Sequence, residues 1–247
     1  MTPSRAGRPE ERHAAAGGPP REGPVVTLDG PAGSGKSTTA REVARRLGLR
    51  HLDSGALYRA LTFGLMEAGV PEERWPALGA GELRALGVEL RPTEGDFDVL
   101  LGGKVLTREL RSREVTSRVA ALARLPAARA CLLDLQRTAG ARGRLVADGR
   151  DMGTVVFPDA DAKVYLVADL RERARRRLRE GGGAHDPTEA SVAAQAEAIA
   201  ERDEIDSARD ISPLRRPDGA LEIDTTRLSF EEQVEAVVAL VRRLTLP

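Results

Sequence analysis

The sequence has no asparagine, and its one cysteine is Cys131. A lone cysteine excludes an intrachain disulfide framework and fits a reducing compartment. Aromatic residues are 3% of the chain, too few to build the stacking platforms on which single-stranded nucleic acid is held. Lysine occurs only at Lys36, Lys104 and Lys163, so the positive charge is almost entirely arginine. The 38 basic and 38 acidic side chains cancel, which argues against a generic nucleic-acid or membrane-surface binder. No apolar run approaches the ~18 residues that span a bilayer. The first residues also lack the apolar core of a signal peptide, so the expected location is cytoplasmic, with no membrane partner.

What is present is a globular composition. The chain is 247 residues long, 41% hydrophobic and 31% charged, which suits one large domain with a proper core. Arginine makes planar two-point contacts with phosphate and keeps its charge, although genome composition produces the same bias.

Residues 1–23 are rich in Pro, Gly and Ala without periodicity and read as a flexible tail. Val25-Val26-Thr27-Leu28-Asp29 then reads as a buried parallel strand. A helix is expected over 37–47, with Gly48 as its stop. A second strand ends near Asp53, and a helix starts at Ser54. Short runs between 82 and 107, split by Thr93-Glu94-Gly95 and Gly102-Gly103, predict a small antiparallel insert. Helical patterns follow over 112–124 and 127–138. Strands are expected at 145–148, 164–167 and 221–224, with a final helix over 229–243 that carries Phe230, Val234, Val237, Val238 and Val241 on one face. Strands alternating with helices predict an α/β fold, a parallel sheet of five strands flanked by helices.

Gly30-Pro31-Ala32-Gly33-Ser34-Gly35-Lys36-Ser37 matches G-x4-G-K-[ST] between a predicted strand and a predicted helix. Glycines let the backbone wrap a phosphate with N–H groups pointing inward, and the helix N-terminus adds a positive dipole end. Lys36 is placed for the β- and γ-phosphates and the Ser37 hydroxyl for Mg²⁺. The loop thus predicts a nucleoside triphosphate site, with the use of the phosphate left open.

The missing asparagine removes the N-K-x-D loop of guanine-reading switches. The strand ends Val146-Ala147-Asp148-Gly149 and Val167-Ala168-Asp169-Leu170 lack the Asp-Glu pair of motor ATPases. Small-molecule phosphoryl transfer remains, a reaction that needs positive groups to bring two phosphates together. Arginines stand where open α/β sheets bind ligands: Arg59, near Ser54 and Tyr58 on one helix face; Arg150 beside Asp151 after a strand; and Arg202, Asp206 and Arg209, at helical spacing. An i,i+4 surface ion pair is the plainer reading of Arg202 and Asp206. Residues 171–179 hold six arginines before Gly181-Gly182-Gly183, a pattern that suits a lid over phosphates. A solvated helix face or an RNA-binding patch are its other readings.

Gly30 to Thr38, Asp53-Ser54-Gly55-Ala56-Leu57-Tyr58-Arg59, the block from Asp148 to Pro158, and Arg202-Asp203…Asp206-Ser207…Arg209…Ser212-Pro213-Leu214 occur in this order. Over about residues 24–244 the chain resembles bacterial cytidylate (CMP/dCMP) kinases, nucleoside monophosphate kinases of the P-loop class. The resemblance implies an ATP:CMP phosphotransferase over 24–247, with 82–107 as the NMP-binding insert and 170–187 as the lid. It implies ATP as co-substrate with Mg²⁺ on Ser37, ATP held by residues 30–38, and CMP or dCMP as acceptor. Arg59, Arg150 and Arg209 would hold the CMP phosphate and, with Lys36, serve catalysis. Arg202, Asp206 and Tyr58 would lie near the ribose, Ser54 would also bind CMP, and Arg129 and Asp151 would read cytosine. A monomer without nucleic-acid partners is expected. One departure stands out. Six residues before Pro126 the family usually carries a base-contacting serine, where this chain has Ala120. Ser117, three residues earlier, is a candidate to share that face. A P-loop kinase of a non-nucleotide acceptor, such as a shikimate-like acid, is the competing enzyme reading.

Overall fold

Strands β1 (Val25–Asp29), β2 (Arg50–Asp53), β6 (Leu145–Asp148), β7 (Ala162–Val167) and β8 (Leu221–Asp224) form one parallel sheet in the order β2-β6-β1-β7-β8. These assignments come from a computed structural model, which describes residues 21–180 and 186–245. Every residue of β1 and β6 is buried. Successive side chains on a strand point to opposite faces, so these strands feed two cores. Val25, Leu145 and Ala147 pack toward helices α2 (Ser54–Glu67) and α5 (Pro126–Gly140). Val26, Leu28 and Val146 pack toward α1 (Lys36–Leu47) and α8 (Phe230–Thr245).

The register sets the site. Asp53 pairs with Asp148, and Asp148 with Leu28. The last residues of three adjacent strands therefore bring Asp53, Asp148 and Asp29 to the carboxyl edge of the sheet, where the phosphate loop begins.

The predicted insert is a sheet of three antiparallel strands, β3 (Val88–Pro92), β4 (Phe97–Leu101) and β5 (Lys104–Val105). It lies against α2: a Cβ added at Gly64 would stand 3.0 Å from a Leu101 methyl. Between α2 and β3 the chain forms a 3-10 turn over Glu72–Ala77 and a short helix α3 (Ala80–Arg84), with Trp75 buried and its Nε1–H donating to the Val70 carbonyl. Helix α4 (Arg113–Ala123) follows the insert, capped by Ser112. Helices α6 (Leu170–Glu180) and α7 (Glu189–Ser207) share a small core of Ala174, Val192, Ala196 and Ile199 against Ala32 of the phosphate loop.

Residues 1–20 of the expected tail, and Gly181 to Gly183 of the expected lid, lie outside the described residues. Arg21 and Glu22 are fastened, the first ion-paired with Asp159 and Asp161 and the second with Arg142. In α8 the four valines are buried as expected, but Phe230 is 47% exposed; it opens the helix, one turn short of the face that meets the sheet. Among the described residues, no helix is long and apolar enough to cross a membrane.

Candidate active site

Gly30 turns the chain out of β1 at φ +150°, and a Cβ there would come within 2.2 Å of the Leu166 carbonyl oxygen. Only glycine lets the loop pass β7 this closely. The loop then closes on α1. Lys36 is buried and its Nζ donates to the Pro31 carbonyl at 2.9 Å. Burial and the nearby Arg150 push its pKa down to about 7, and an anion bound in the loop would favour its charged form. Ser34 is buried with its Oγ unpartnered.

From behind, Asp203 accepts from Ala32 N–H at 2.9 Å, and Arg173 donates to the Ala32 carbonyl at 3.0 Å while pairing with Asp203. Arg173 is thus a brace of the loop rather than a mobile lid arginine. Its neighbours are also engaged: Arg176 donates to the Thr225 carbonyl, and Arg171 and Arg175 pair with Glu189. Of the arginines in this helix, Arg177 lines the cleft.

The cleft has a volume of about 1020 Å³, at or beyond the upper end of ~300–1,000 Å³ for a single small-molecule site. Ala32, Gly33, Gly35, Lys36, Ser37 and Thr38 line one end, while the other three expected loop residues, Gly30, Pro31 and Ser34, are not among its lining. All nine residues expected on the acceptor side line the rest: Ser54, Tyr58, Arg59, Arg129, Arg150, Asp151, Arg202, Asp206 and Arg209.

Their contacts are specific. Asp206, 1% exposed, accepts from Arg150 Nε at 2.9 Å and pairs with Arg209. Arg202 is not its partner. The expected i,i+4 pair gives way because Arg150 from another element reaches the carboxylate first. Burial and the neighbouring Arg150 bring the Arg202 pKa down to about 10. Arg209 lies just past the end of α7 rather than on its face. Arg129 pairs with Asp151, and its guanidinium sits 5.5 Å from the centre of the Tyr58 ring. Arg59 donates to Thr116 Oγ1 at 2.8 Å and to the Leu110 carbonyl at 3.2 Å. Ser54 accepts from Gln136 Nε2 at 2.8 Å.

Ser37 Oγ donates to Asp148 Oδ2 at 2.5 Å, and His51 Nε2 lies 2.7 Å from Asp148 Oδ1. Burial alone would raise the Asp148 pKa, but His51, Ser37 and Lys36 hold it below the usual carboxylate range. Burial likewise opposes protonation of His51, but Asp148 and Asp96 outweigh it and raise its pKa to about 9. Asp53 is pushed up by burial and by Asp148, and its carboxylate caps α2 by accepting from Ala56 N–H at 3.1 Å.

The cytidylate kinase family matches residues 26–243. The chain belongs to the cytidylate kinase family. Over 222 residues it is 45% identical to a bifunctional pantoate ligase/cytidylate kinase of Synechococcus sp. (strain WH7803), a match that covers 89% of this chain and 44% of that protein. It is 42% identical over 219 residues to a cytidylate kinase of Exiguobacterium sp. (strain ATCC BAA-1283 / AT1b), covering 89% of this chain and 96% of that one. The chain therefore spans less than half the length of the bifunctional relative and nearly all of the single-function one. A solved structure of a shikimate kinase from Acinetobacter baumannii in complex with shikimate matches at 15% identity and a TM-score of 0.42, over 92% of this chain and 97% of that chain.

Against the family pattern, Ala120 lines the cleft, on the same face of α4 as Thr116. Ser117 does not: it is exposed, and its hydroxyl donates to the Glu114 carbonyl at 2.9 Å. Ser117 flanks Ala120 on the side away from Thr116, about 100° round the helix from Thr116, and it is the Thr116 side that meets the cleft. Sequence reasoning also passed over Thr116, Gln136, Arg173, Asp203 and the linking role of His51. No local pattern marks them, since each acts on a partner distant in the chain.

Proposed function

We propose that the chain transfers the γ-phosphoryl group of ATP to a phosphate oxygen of CMP or dCMP, giving ADP and CDP or dCDP. The observation that carries this reading is one cleft with the phosphate loop at one end and, at the other, the Arg129–Asp151 pair beside Arg59, Arg150 and Arg209. Asp151 has the acceptor oxygen for the cytosine amino group, and Arg129 the donors for its carbonyl and ring nitrogen. Arg202, Tyr58 and Ser54 flank the space for the sugar, and the insert and the α6 region close the cleft from either side.

In the transfer, the bond from the γ-phosphorus to the β–γ bridging oxygen breaks as a bond forms to the acceptor phosphate oxygen. That oxygen is already anionic, so no general base is needed. Lys36 and the arginines stabilise the charge spread over the equatorial oxygens, and their fixed positions replace reorganising water. The oxygen set at the loop fits Mg²⁺: the Ser37 hydroxyl is a hard ligand, and Asp148 orients it. Among the described residues no three acidic, histidine or cysteine side chains gather to hold a metal by themselves, in keeping with an ion carried largely by phosphates and water. When bound, Mg²⁺ would supply charge that neutralises the phosphates during transfer. In this reading the enzyme acts as a monomer in the cytoplasm, where its substrates would be met.

A coupled assay of ADP release with CMP, dCMP, UMP and AMP tests the proposal. Turnover is expected to be fastest with CMP or dCMP. No turnover with CMP, or fastest turnover with AMP, overturns it.

A further inference from the structure

His51 has no part in the scheme above, yet it is fully buried in β2, two residues before Asp53. Its Nε2 is 2.7 Å from Asp148 Oδ1, while the other oxygen of that carboxylate accepts from Ser37. Its Nδ1 points away from the phosphate loop and lies 3.7 Å from Asp96 Oδ1, in the β3–β4 turn of the insert, with no closer partner. The backbone repeats the connection, since His51 N–H donates to the Gly95 carbonyl at 3.1 Å. Asp96 in turn lies 3.7 Å from Arg41 Nε on α1. Two hydrogen bonds, Ser37–Asp148 and Asp148–His51, thus lead from the phosphate loop, and two longer charge contacts of 3.7 Å, His51–Asp96 and Asp96–Arg41, continue the line to the insert and back to the helix that the loop starts.

A carboxylate at the end of a strand can rotate about its terminal torsion unless both oxygens are held. Ser37 holds one oxygen of Asp148 and His51 the other. Losing His51 would free the carboxylate to turn, and the Ser37 hydroxyl would follow it. We propose that His51 is a positioning residue of the donor site, which fixes Asp148 so that Ser37 keeps the orientation needed by a magnesium–nucleotide, and which makes that orientation depend on the insert through Asp96. The proposal rests on the donor-site reading above, but not on which acceptor is used.

The test is calorimetry of ADP binding with Mg²⁺ and with chelator. His51→Phe, which keeps the volume and removes both ring nitrogens, is expected to weaken MgADP binding about tenfold, with metal-free ADP changed less than twofold. His51→Gln, whose amide N–H reaches toward Asp148, restores most of the MgADP affinity. Asp96→Ala leaves the His51–Asp148 contact in place and weakens MgADP binding about threefold; it also supplies the test if the phenylalanine variant does not fold. Equal losses with and without Mg²⁺, or unchanged MgADP affinity in both His51→Phe and Asp96→Ala, overturn the proposal. A wild-type protein that binds MgADP but does not phosphorylate CMP removes the acceptor assignment and leaves this test intact. One that binds no MgADP removes both.

Discussion

Arg150 and Asp206 stand 56 residues apart in sequence and meet at 2.9 Å in the cleft, with Asp206 pairing at the same time with Arg209. One buried carboxylate thus fixes two of the arginines proposed for the acceptor phosphate. Asp206→Ala would leave both guanidinium groups buried and unpaired, at a cost of about 3 kcal/mol in stability. Arg150→Ala spares the Arg209 pair. It is expected to raise KM for CMP at least about tenfold, by loss of a charged hydrogen-bond donor, with KM for ATP within about twofold. Steady-state kinetics with each substrate varied in turn, beside urea denaturation, separates the two effects.

Arg173 gives a matching prediction on the donor side. It ties the Ala32 carbonyl to Asp203, which itself holds the Ala32 N–H. Arg173→Ala is expected to lower stability by about 2 kcal/mol. It should raise KM for ATP more than KM for CMP, because the loop it braces holds only the donor. An equal rise in both would place Arg173 outside this role.

The contrast between these two arginines shows where sequence reasoning succeeds. Val25-Val26-Thr27-Leu28-Asp29 and the glycines after it announce a buried strand and a phosphate loop, because burial on both faces and positive φ leave local marks. The insert is legible for the same reason, as short runs between glycine turns. Helix α3 and the turn before it are not, since five residues give too little periodicity to read. The helical spacing of Arg202 and Asp206 is real, yet Arg209 falls past the helix end, and spacing says nothing of Arg150, which takes the carboxylate. Likewise Arg173 looks like the arginines around it until α7 supplies Asp203. His51 carries no signal at all, because both its carboxylates come from other elements.

Ala120 offers a direct test of base recognition. It lines the cleft, at the position where the resemblance leads to an expected serine, and Ser117 faces away. Ala120→Ser would place a hydroxyl there, and one hydrogen bond of ~1 kcal/mol corresponds to about fivefold in binding. The variant is expected to gain about fivefold in kcat/KM for CMP with little change for UMP. A gain of the same size for both nucleotides would mean that the hydroxyl does not read the base.

Asp29 ties the phosphate-loop strand to the acceptor loop. Its two oxygens accept from Met152 and Gly153 N–H, each at 2.8 Å, just beyond Asp151. Complete burial outweighs these two donors and the nearby Lys36, and raises its pKa from 3.8 to about 7. The folded protein therefore holds this proton more tightly than the unfolded chain between those values. The stabilisation linked to the proton is fully present below pH ~3.8 and is lost as pH rises through ~7. Asp29→Asn cannot titrate, and its amide nitrogen faces an N–H donor, so near pH 4, where the wild-type carboxyl is protonated, the variant is expected to be less stable by about 1–3 kcal/mol. The decisive quantity is the difference in unfolding free energy between wild type and variant, since groups common to both cancel. It should shrink steadily from pH 4 to pH 7 and level off above. A difference that grows over this range would mean that Asp29 is ionised in the folded protein and held by its two N–H donors, which would reverse the balance between burial and hydrogen bonding at this strand end.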